Sequence, residues 1–232
     1  MEDKPITTLF MLMSLDGKIS SGASDELDVD RDWPELAGVK EGLHQYYEIE
    51  ADTDWYSLNT GRVMAKIGVN GKKEPKGKIN IRFVIIDRKP HLTESGVEYL
   101  CKWVGTLILV TNNKNHPAYK LQESYDNLEI LEYDGNIDLE KMMKDLKDRY
   151  GAERITIQSG GTLNGEFLRA NLIDYVHIVI APVLVGGKDT ATLIDGESIT
   201  TVEELHKLKA MRLVECNQLE DSYVQLKYEV IK

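Results

Sequence analysis

The sequence predicts an α/β fold, layered around a mixed sheet whose antiparallel strands come late in the chain. Three observations predict it. Apolar runs of strand length, such as Ile79–Ile86 and Thr106–Thr111, read as strands buried on both faces. Stretches with helical spacing separate these runs, so strand–helix–strand units repeat along the chain. The tail Met211–Ile231 sets Tyr223, Gln225 and Lys227 against Val224, Leu226 and Tyr228, the two-residue period of an antiparallel pair. No linker is long enough to split the 232 residues, so residues 1–232 are expected to form one domain.

In chain order, Thr7–Ser14 reads as the first buried strand. Pro34 to Asp52 reads as a helix, with Leu36, Val39, Leu43, Tyr46, Tyr47 and Glu50 at 3–4 spacing and Pro34 in the first turn. Trp55–Leu58 is a short strand, and Thr60-Gly61-Arg62 opens a turn or a helix. Val69–Lys78, rich in glycine and lysine, reads as an exposed loop. After the strand Ile79–Ile86, a short helix is expected over Glu94–Lys102, then strands over Thr106–Thr111 and Leu128–Glu132. Asp138 caps a helix running to Tyr150, whose apolar face carries Leu139, Met142, Met143 and Leu146. A strand Ile155–Gln158, a helix Thr162–Ala170, a strand Tyr175–Leu184 and the paired tail complete the pattern. Trp33, Trp55 and Trp103 are expected to be packing residues.

Composition excludes several classes of function. With 28 basic and 39 acidic side chains the net charge is 28 − 39 = −11, which argues against sequence-independent binding of nucleic acid. The longest clean apolar run, Ile178–Val185, is far short of the roughly 20 residues a bilayer requires, so no membrane partner is expected. Cys101 and Cys216 form no CxxC pair, which suits a reducing cytoplasm. None of the 18 glycines is followed by another two positions later, so the GxGxxG dinucleotide fingerprint is absent. No P-loop and no GxSxG elbow occur, and His44, His91, His116, His177 and His206 make no metal-ligand spacing. No metal is expected.

Three strand ends carry residues that can do chemistry. Ser14-Leu15-Asp16-Gly17-Lys18-Ile19 sets a carboxylate and an ammonium around a tight turn, either to orient a polar substrate or as a solvated turn. Asn59-Thr60-Gly61-Arg62 puts a glycine and a guanidinium where a phosphate can approach, or simply caps a helix. Gln158-Ser159-Gly160-Gly161-Thr162-Leu163-Asn164 places twin glycines between strand and helix, a backbone able to present N–H groups to a diphosphate. Asp87-Arg88, Thr111 and Pro182–Gly187 are weaker signals of the same kind.

Read together, Met13–Ile19, Gly61-Arg62-Val63, Asp87-Arg88, Gly160-Gly161-Thr162-Leu163-Asn164, Phe167-Leu168, Leu172-Ile173-Asp174, Ala181-Pro182-Val183-Leu184 and Gly186-Gly187 resemble the reductase domain at the C-terminus of the bifunctional riboflavin-biosynthesis deaminase–reductase. The resemblance implies a dihydrofolate reductase-like three-layer α/β/α sandwich and covers residues from about 5 to 231. It also implies an NADPH-dependent reductase of a ribosylamino-pyrimidine phosphate, acting as a cytoplasmic homodimer. By family position, Thr60, Gly61 and Arg62 approach the cofactor phosphates. Asp87, Arg88 and Thr111 lie along the adenosine half, with Arg88 at the 2′-phosphate. Ser159, Gly160, Gly161, Thr162 and Leu163 wrap the diphosphate and nicotinamide ribose. Ser14, Asp16, Lys18 and Gln158 face the substrate, with Asp16 and Lys18 orienting it and supplying a proton. Twin glycines in this fold often carry a cis peptide.

The chain departs from the family pattern at two places. Gln158 stands where the family has Glu and cannot act as a base. Ala65-Lys66-Ile67-Gly68 replaces an Ala-Asp-Asp-Pro run. Two alternatives therefore stay open: a reductase of another substrate on this fold, such as a dihydropterin or other imine or carbonyl, and a nucleotide-binding protein without turnover.

Overall fold

The computed structural model describes residues 3–232. In chain order the elements are β1 (Ile6–Ser14), α1 (Val29–Asp32), α2 (His44–Ala51), β2 (Tyr56–Thr60), α3 (Gly61–Lys66), β3 (Ile79–Ile86), α4 (Glu94–Trp103), β4 (Val104–Thr111), β5 (Leu128–Glu132), α5 (Leu139–Tyr150), β6 (Arg154–Ile157), α6 (Gly161–Arg169), β7 (Tyr175–Ala181), β8 (Met211–Gln218) and β9 (Val224–Val230). The chain divides into two compact units.

Among the described residues, the first unit holds 3–5 and 54–159. Its strands run in the order β5-β4-β3-β2-β6, and every pairing is parallel. Parallel strands are joined by crossovers, and the start of α3 after β2 and the loop after β3 lie at the carboxyl ends of adjacent strands. α4 packs Val97, Leu100 and Cys101 against Phe83, Ile85, Leu107 and Leu109 of the sheet. α5 follows its sequence signals: the Asp138 carboxylate accepts from the Glu140 and Lys141 N–H groups, Met142, Met143 and Leu146 are buried, and Gly151 closes the helix at φ +70°.

The second unit holds residues 6–53 and 160–232. β1 and β7 pair in parallel, while β7–β9 and β9–β8 are antiparallel. The late antiparallel strands expected from the tail are present. Phe10 and Leu12 of β1, with Val179 and Ala181 of β7, pack against Trp33, Val39, Leu43, Tyr46 and Tyr223. The Phe10 and Tyr46 rings stack with centroids 5.1 Å apart.

The structure corrects the sequence in several places. The single helix expected over Pro34–Asp52 is broken. A short 3₁₀ turn over Trp33–Glu35 ends at Leu36, which is extended, and Gly38 at φ +85° reverses the chain before α2 begins at His44. Gly42 sits within this break because a Cβ there would come 2.7 Å from the Tyr223 ring. The apolar period survives even though the helix does not: Val39, Leu43 and Tyr46 are all buried. The strand read as Tyr175–Leu184 stops at Ala181, before Pro182, which lacks a ladder N–H. Val69 in the expected exposed loop is fully buried, whereas Lys72, Lys73, Lys76 and Lys78 are exposed. Trp33 is buried and Trp103 packs on Phe83, but Trp55 is 68% exposed and does not serve the core.

Candidate functional site

The chemistry-bearing residues of the second unit gather around one segment, residues 183–195. After β1 the chain turns at Gly17, φ +78°. Ser14, fully buried, accepts from the Lys18 N–H through its hydroxyl at 2.9 Å and donates to Asp16 Oδ1 at 2.6 Å. The Asp16 carboxylate then reaches across to residues 185 and 186. It accepts from the Val185 N–H at 3.0 Å and the Gly186 N–H at 2.6 Å. The Ser14 hydroxyl first, then these two N–H groups, stabilise the carboxylate and hold its pKa down to about 2. Lys18 points the other way, and its Nζ donates to the carbonyls of Gly187 at 2.7 Å and Thr190 at 3.0 Å. Gly186 and Gly187 are both left-handed, φ +70° and +81°, which only glycine adopts without strain. The Asp16–Lys18 turn therefore clamps a twin-glycine corner by carboxylate on one side and ammonium on the other.

The same segment continues to the start of α6. Ile19 donates to Ala191 O at 3.0 Å and Leu193 donates to Gly17 O at 3.1 Å. Asp195 donates through its backbone to Gly161 O at 2.9 Å, and buried Asn164 donates to Leu193 O at 2.9 Å. This explains Gly161: a Cβ there would overlap the Thr192 carbonyl oxygen and come 2.8 Å from the Asp195 carboxyl carbon. Its neighbour differs. Gly160 has φ −71° and ψ 156°, an extended conformation open to any residue, and a Cβ there would meet nothing within 4 Å. The twin glycines therefore reflect close approach at Gly161 and open space at Gly160. The expected cis peptide is absent, and all peptide bonds among the described residues are trans. An ordinary extended-to-helical transition carries the chain into α6 without it.

Sequence reasoning passed over Thr190, Thr192 and Asp195. A signal was there: Thr192 and Asp195, followed by Gly196 at φ +110°, form a side-chain-bonded turn, with Thr192 Oγ1 donating to Asp195 Oδ1 at 2.6 Å.

The first unit carries its own cluster at the ends of β2, β3 and β4. Thr60 caps α3, its hydroxyl accepting from the Val63 N–H at 3.2 Å. Arg62 and Arg88 are exposed. Asp87 is not where a ligand contact would put it. Its carboxylate is fully buried and accepts from the His91 and Leu92 N–H groups at 3.0–3.1 Å and from the His91 and His116 rings at 3.1 Å each. Burial works against its charge, but the His116 ring, the Leu92 N–H and His91 outweigh it and hold Asp87 below the usual carboxylate range. Thr111 is buried too, its hydroxyl donating to Asp87 O at 2.9 Å. Both side chains turn inward: the Asp87 carboxylate is bonded by the loops after β3 and β4, and the Thr111 hydroxyl by the Asp87 carbonyl. Gly61 is required here, since a Cβ would lie 2.5 Å from both Asp87 oxygens. The histidines escaped the sequence because His91 and His116 sit on separate loops with no local spacing to link them.

At the end of β6, Gln158 donates through its N–H to Leu58 O at 2.8 Å, and its side-chain oxygen accepts from the Ser57 hydroxyl at 3.0 Å. Ser159 is buried, Thr162 is exposed, and Leu163 is buried on α6. Among the described residues no cluster of His, Cys, Asp and Glu is arranged to hold a metal ion, and no helix is long and apolar enough to cross a membrane.

Comparison with known proteins places the chain in a family. The model of the RibD C-terminal domain matches residues 5–224. The chain belongs to the RibD C-terminal domain family. Among curated relatives, the 2,5-diamino-6-ribosylamino-4(3H)-pyrimidinone 5′-phosphate reductase of Methanothermobacter thermautotrophicus is 27% identical over 213 residues, covering 90% of this chain and 92% of the relative. The riboflavin biosynthesis protein RibD of Actinobacillus pleuropneumoniae is 24% identical and is covered over 53% of its length. Among solved structures, Acinetobacter baumannii RibD superposes with a TM-score of 0.68 at 17% identity, covering 99% of this chain and 59% of that one. The riboflavin biosynthesis reductase Rib7 of Saccharomyces cerevisiae gives 0.63 at 17% identity, covering 100% and 92%. The chain thus spans little more than half of the RibD proteins and nearly all of the shorter reductases. The fold expected from the sequence is the fold these structures share.

Proposed function

We propose that this chain is an NADPH-dependent reductase of a ribosylamino-pyrimidine phosphate, the substrate class named for its Methanothermobacter relative. The observation that carries the reading is the convergence of the Asp16–Lys18 turn, the Gly186-Gly187 corner and the start of α6 on one segment. These are separate motifs in the sequence, and a fold alone does not require them to meet.

The residues present fit a dinucleotide. Gly160 leaves open space at the start of a nine-residue helix, where unpaired N–H groups favour an anion. Thr162 adds an exposed hydroxyl, while Ser159, Gly161 and Leu163 support the corner. Arg62 and Arg88 offer exposed guanidinium groups for phosphates, with Arg88 assigned the 2′-phosphate that separates NADPH from NADH. Asp87, Thr111, Thr60 and Gly61 hold that end of the first unit in shape.

When bound, the nicotinamide supplies a hydride. The protein supplies position and a proton. Asp16, with its pKa held down to about 2, is an acceptor at neutral pH and orients the substrate and the 185–187 corner; it does not donate the proton. Lys18 spends two of its three N–H donors on Gly187 and Thr190 and directs the third to the substrate as the proton source. Ser14 fixes both through its hydroxyl, and Gln158 contributes an amide to the substrate.

Gln158 also favours a second reading. Tied to Ser57 and unable to act as a base, it suits a nucleotide-binding protein without turnover. Steady-state assays distinguish the two. Oxidation of NADPH that depends on the ribosylamino-pyrimidinone phosphate, and is lost in Lys18→Ala, supports the reductase; tight NADPH binding without oxidation supports the alternative. We infer a homodimer in the cytoplasm as the working form. Exposed Met211, Leu213 and Val214 on the strand β8 and free thiols at Cys101 and Cys216 support this. A monomer mass in light scattering contradicts the dimer.

A further inference from the structure

Asp87 is held by more than its place in a core requires. A buried carboxylate is expensive, and an apolar residue of similar size would close β3 at no such cost. Here the charge is kept, and His91, Leu92 and His116 all bond to it. His91 donates to both oxygens through its N–H and approaches Oδ1 with its ring, Leu92 donates to Oδ2, and the His116 ring approaches Oδ2 as well. His116 is itself fully buried. Its Nδ1 accepts from the Ala118 N–H at 3.1 Å, so its proton lies on Nε2 and is donated to Asp87. The ring is thus aimed by the backbone on one side and spends its only donor on the carboxylate on the other.

The carboxylate in turn bears on Gly61. A methyl group there would sit 2.5 Å from each Asp87 oxygen, so the Gly61 backbone rests against the charge with only hydrogen between them. Any rotation of the carboxylate moves into that space. His116 comes from the loop after β4, whereas His91 and Leu92 come from the loop after β3, so its bond ties the carboxylate to a second loop.

We infer that His116 is a positioning residue for the Thr60–Arg62 turn: acting through Asp87, it sets where Gly61 and Arg62 meet a phosphate of the cofactor and touches no ligand itself. This rests on the reading that the chain binds NADPH. His116→Phe fills the space and donates nothing, while His116→Gln keeps an N–H donor near the Nε2 position. NADPH affinity is measured directly by fluorescence titration, well below the unfolding temperature of each variant. Val97→Ala, a buried α4 substitution in the same unit that leaves Asp87's partners in place, is the control for general loosening. His116→Phe is expected to weaken binding by about tenfold or more, His116→Gln to stay within about threefold of the wild type, and Val97→Ala to lower the unfolding temperature without moving affinity. His91→Ala, at a ring that is partly exposed and so tolerant of change, is expected to weaken binding by about threefold and keeps the test decisive if His116→Phe does not fold. Wild-type binding that His116→Phe and His91→Ala both retain overturns this inference alone. So does equal weakening in Val97→Ala, or failure of His116→Gln to restore affinity. A wild type that binds no NADPH overturns the functional reading and this inference together.

Discussion

Gly160 and Gly161 are adjacent, yet the structure assigns them opposite sensitivities. Alanine at 161 would drive its methyl into the Thr192 carbonyl oxygen and to 2.8 Å from the Asp195 carboxyl carbon. Neither can yield easily. The Thr192 carbonyl is backbone, and the Asp195 carboxylate is tied to the Thr192 N–H and hydroxyl. Overpacking of this kind costs about 1–3 kcal/mol. For a chain of this length each kcal/mol lowers the melting temperature by about 2–4 °C, so Gly161→Ala should melt some 2–12 °C below the wild type. Alanine at 160 meets nothing and suits φ −71°, ψ 156°. Its smaller unfolded-state entropy stabilises by about 0.4–1 kcal/mol. The preference for glycine over alanine at a helix N-cap offsets this by about as much. Gly160→Ala should therefore melt within a few degrees of the wild type while binding NADPH about tenfold more weakly, because its methyl enters the space assigned to the diphosphate. Scanning calorimetry and fluorescence titration read the two effects separately. Equal melting temperatures for both variants would refute the packing argument, and unchanged NADPH affinity in Gly160→Ala would refute the cradle.

Three further outcomes are expected. The Ser14 hydroxyl and the Val185 and Gly186 N–H groups hold Asp16 down to about 2, so carbon-detected NMR should find its midpoint near pH 2; a midpoint near 3.8 would contradict the clamp on Val185 and Gly186. Burial, then Lys227, hold His177 down to about 4, with Glu215 opposing, while an unfolded histidine protonates near 6.5. Between those values the unfolded chain binds a proton that the folded chain does not, so stability should fall as pH drops from about 6.5 to about 4, and His177→Gln should flatten that dependence in urea titrations; an unchanged slope would contradict it. Burial pushes the Cys101 thiol up to about 12, whereas Cys216 is exposed, so a thiol reagent at pH 8 should label one cysteine in the native protein and two in denaturant; two fast labels in the native state would contradict the packing of α4.

Much of the fold was legible because local signals and burial agreed. The Asp138 cap, the Met142–Leu146 face and Gly151 specify α5 without help from the rest of the chain, and Leu128–Glu132 was read to its ends. Where tertiary packing overrode propensity, the reading failed. Val39, Leu43 and Tyr46 keep a helical period, but Leu36 and Gly38 break the helix and the burial is achieved by turns. The candidate site was legible in part. Asp16, Lys18, Gly161 and Gly186-Gly187 were marked by turn chemistry, and the structure brings them to one segment. That this segment runs on through Thr192 and Asp195 depends on contacts about 30 residues apart in sequence, between Asn164 and Leu193 or Gly161 and Asp195. The inward turn of Asp87 depends likewise on His116, whose loop position carries no spacing to give it away.

The proposed activity is hydride transfer from NADPH to a ribosylamino-pyrimidine phosphate. Purified protein mixed with NADPH and 2,5-diamino-6-ribosylamino-4(3H)-pyrimidinone 5′-phosphate should consume the reduced nicotinamide and form the ribitylamino product in equal amounts. Nicotinamide that stays reduced at saturating concentrations of both would contradict the account.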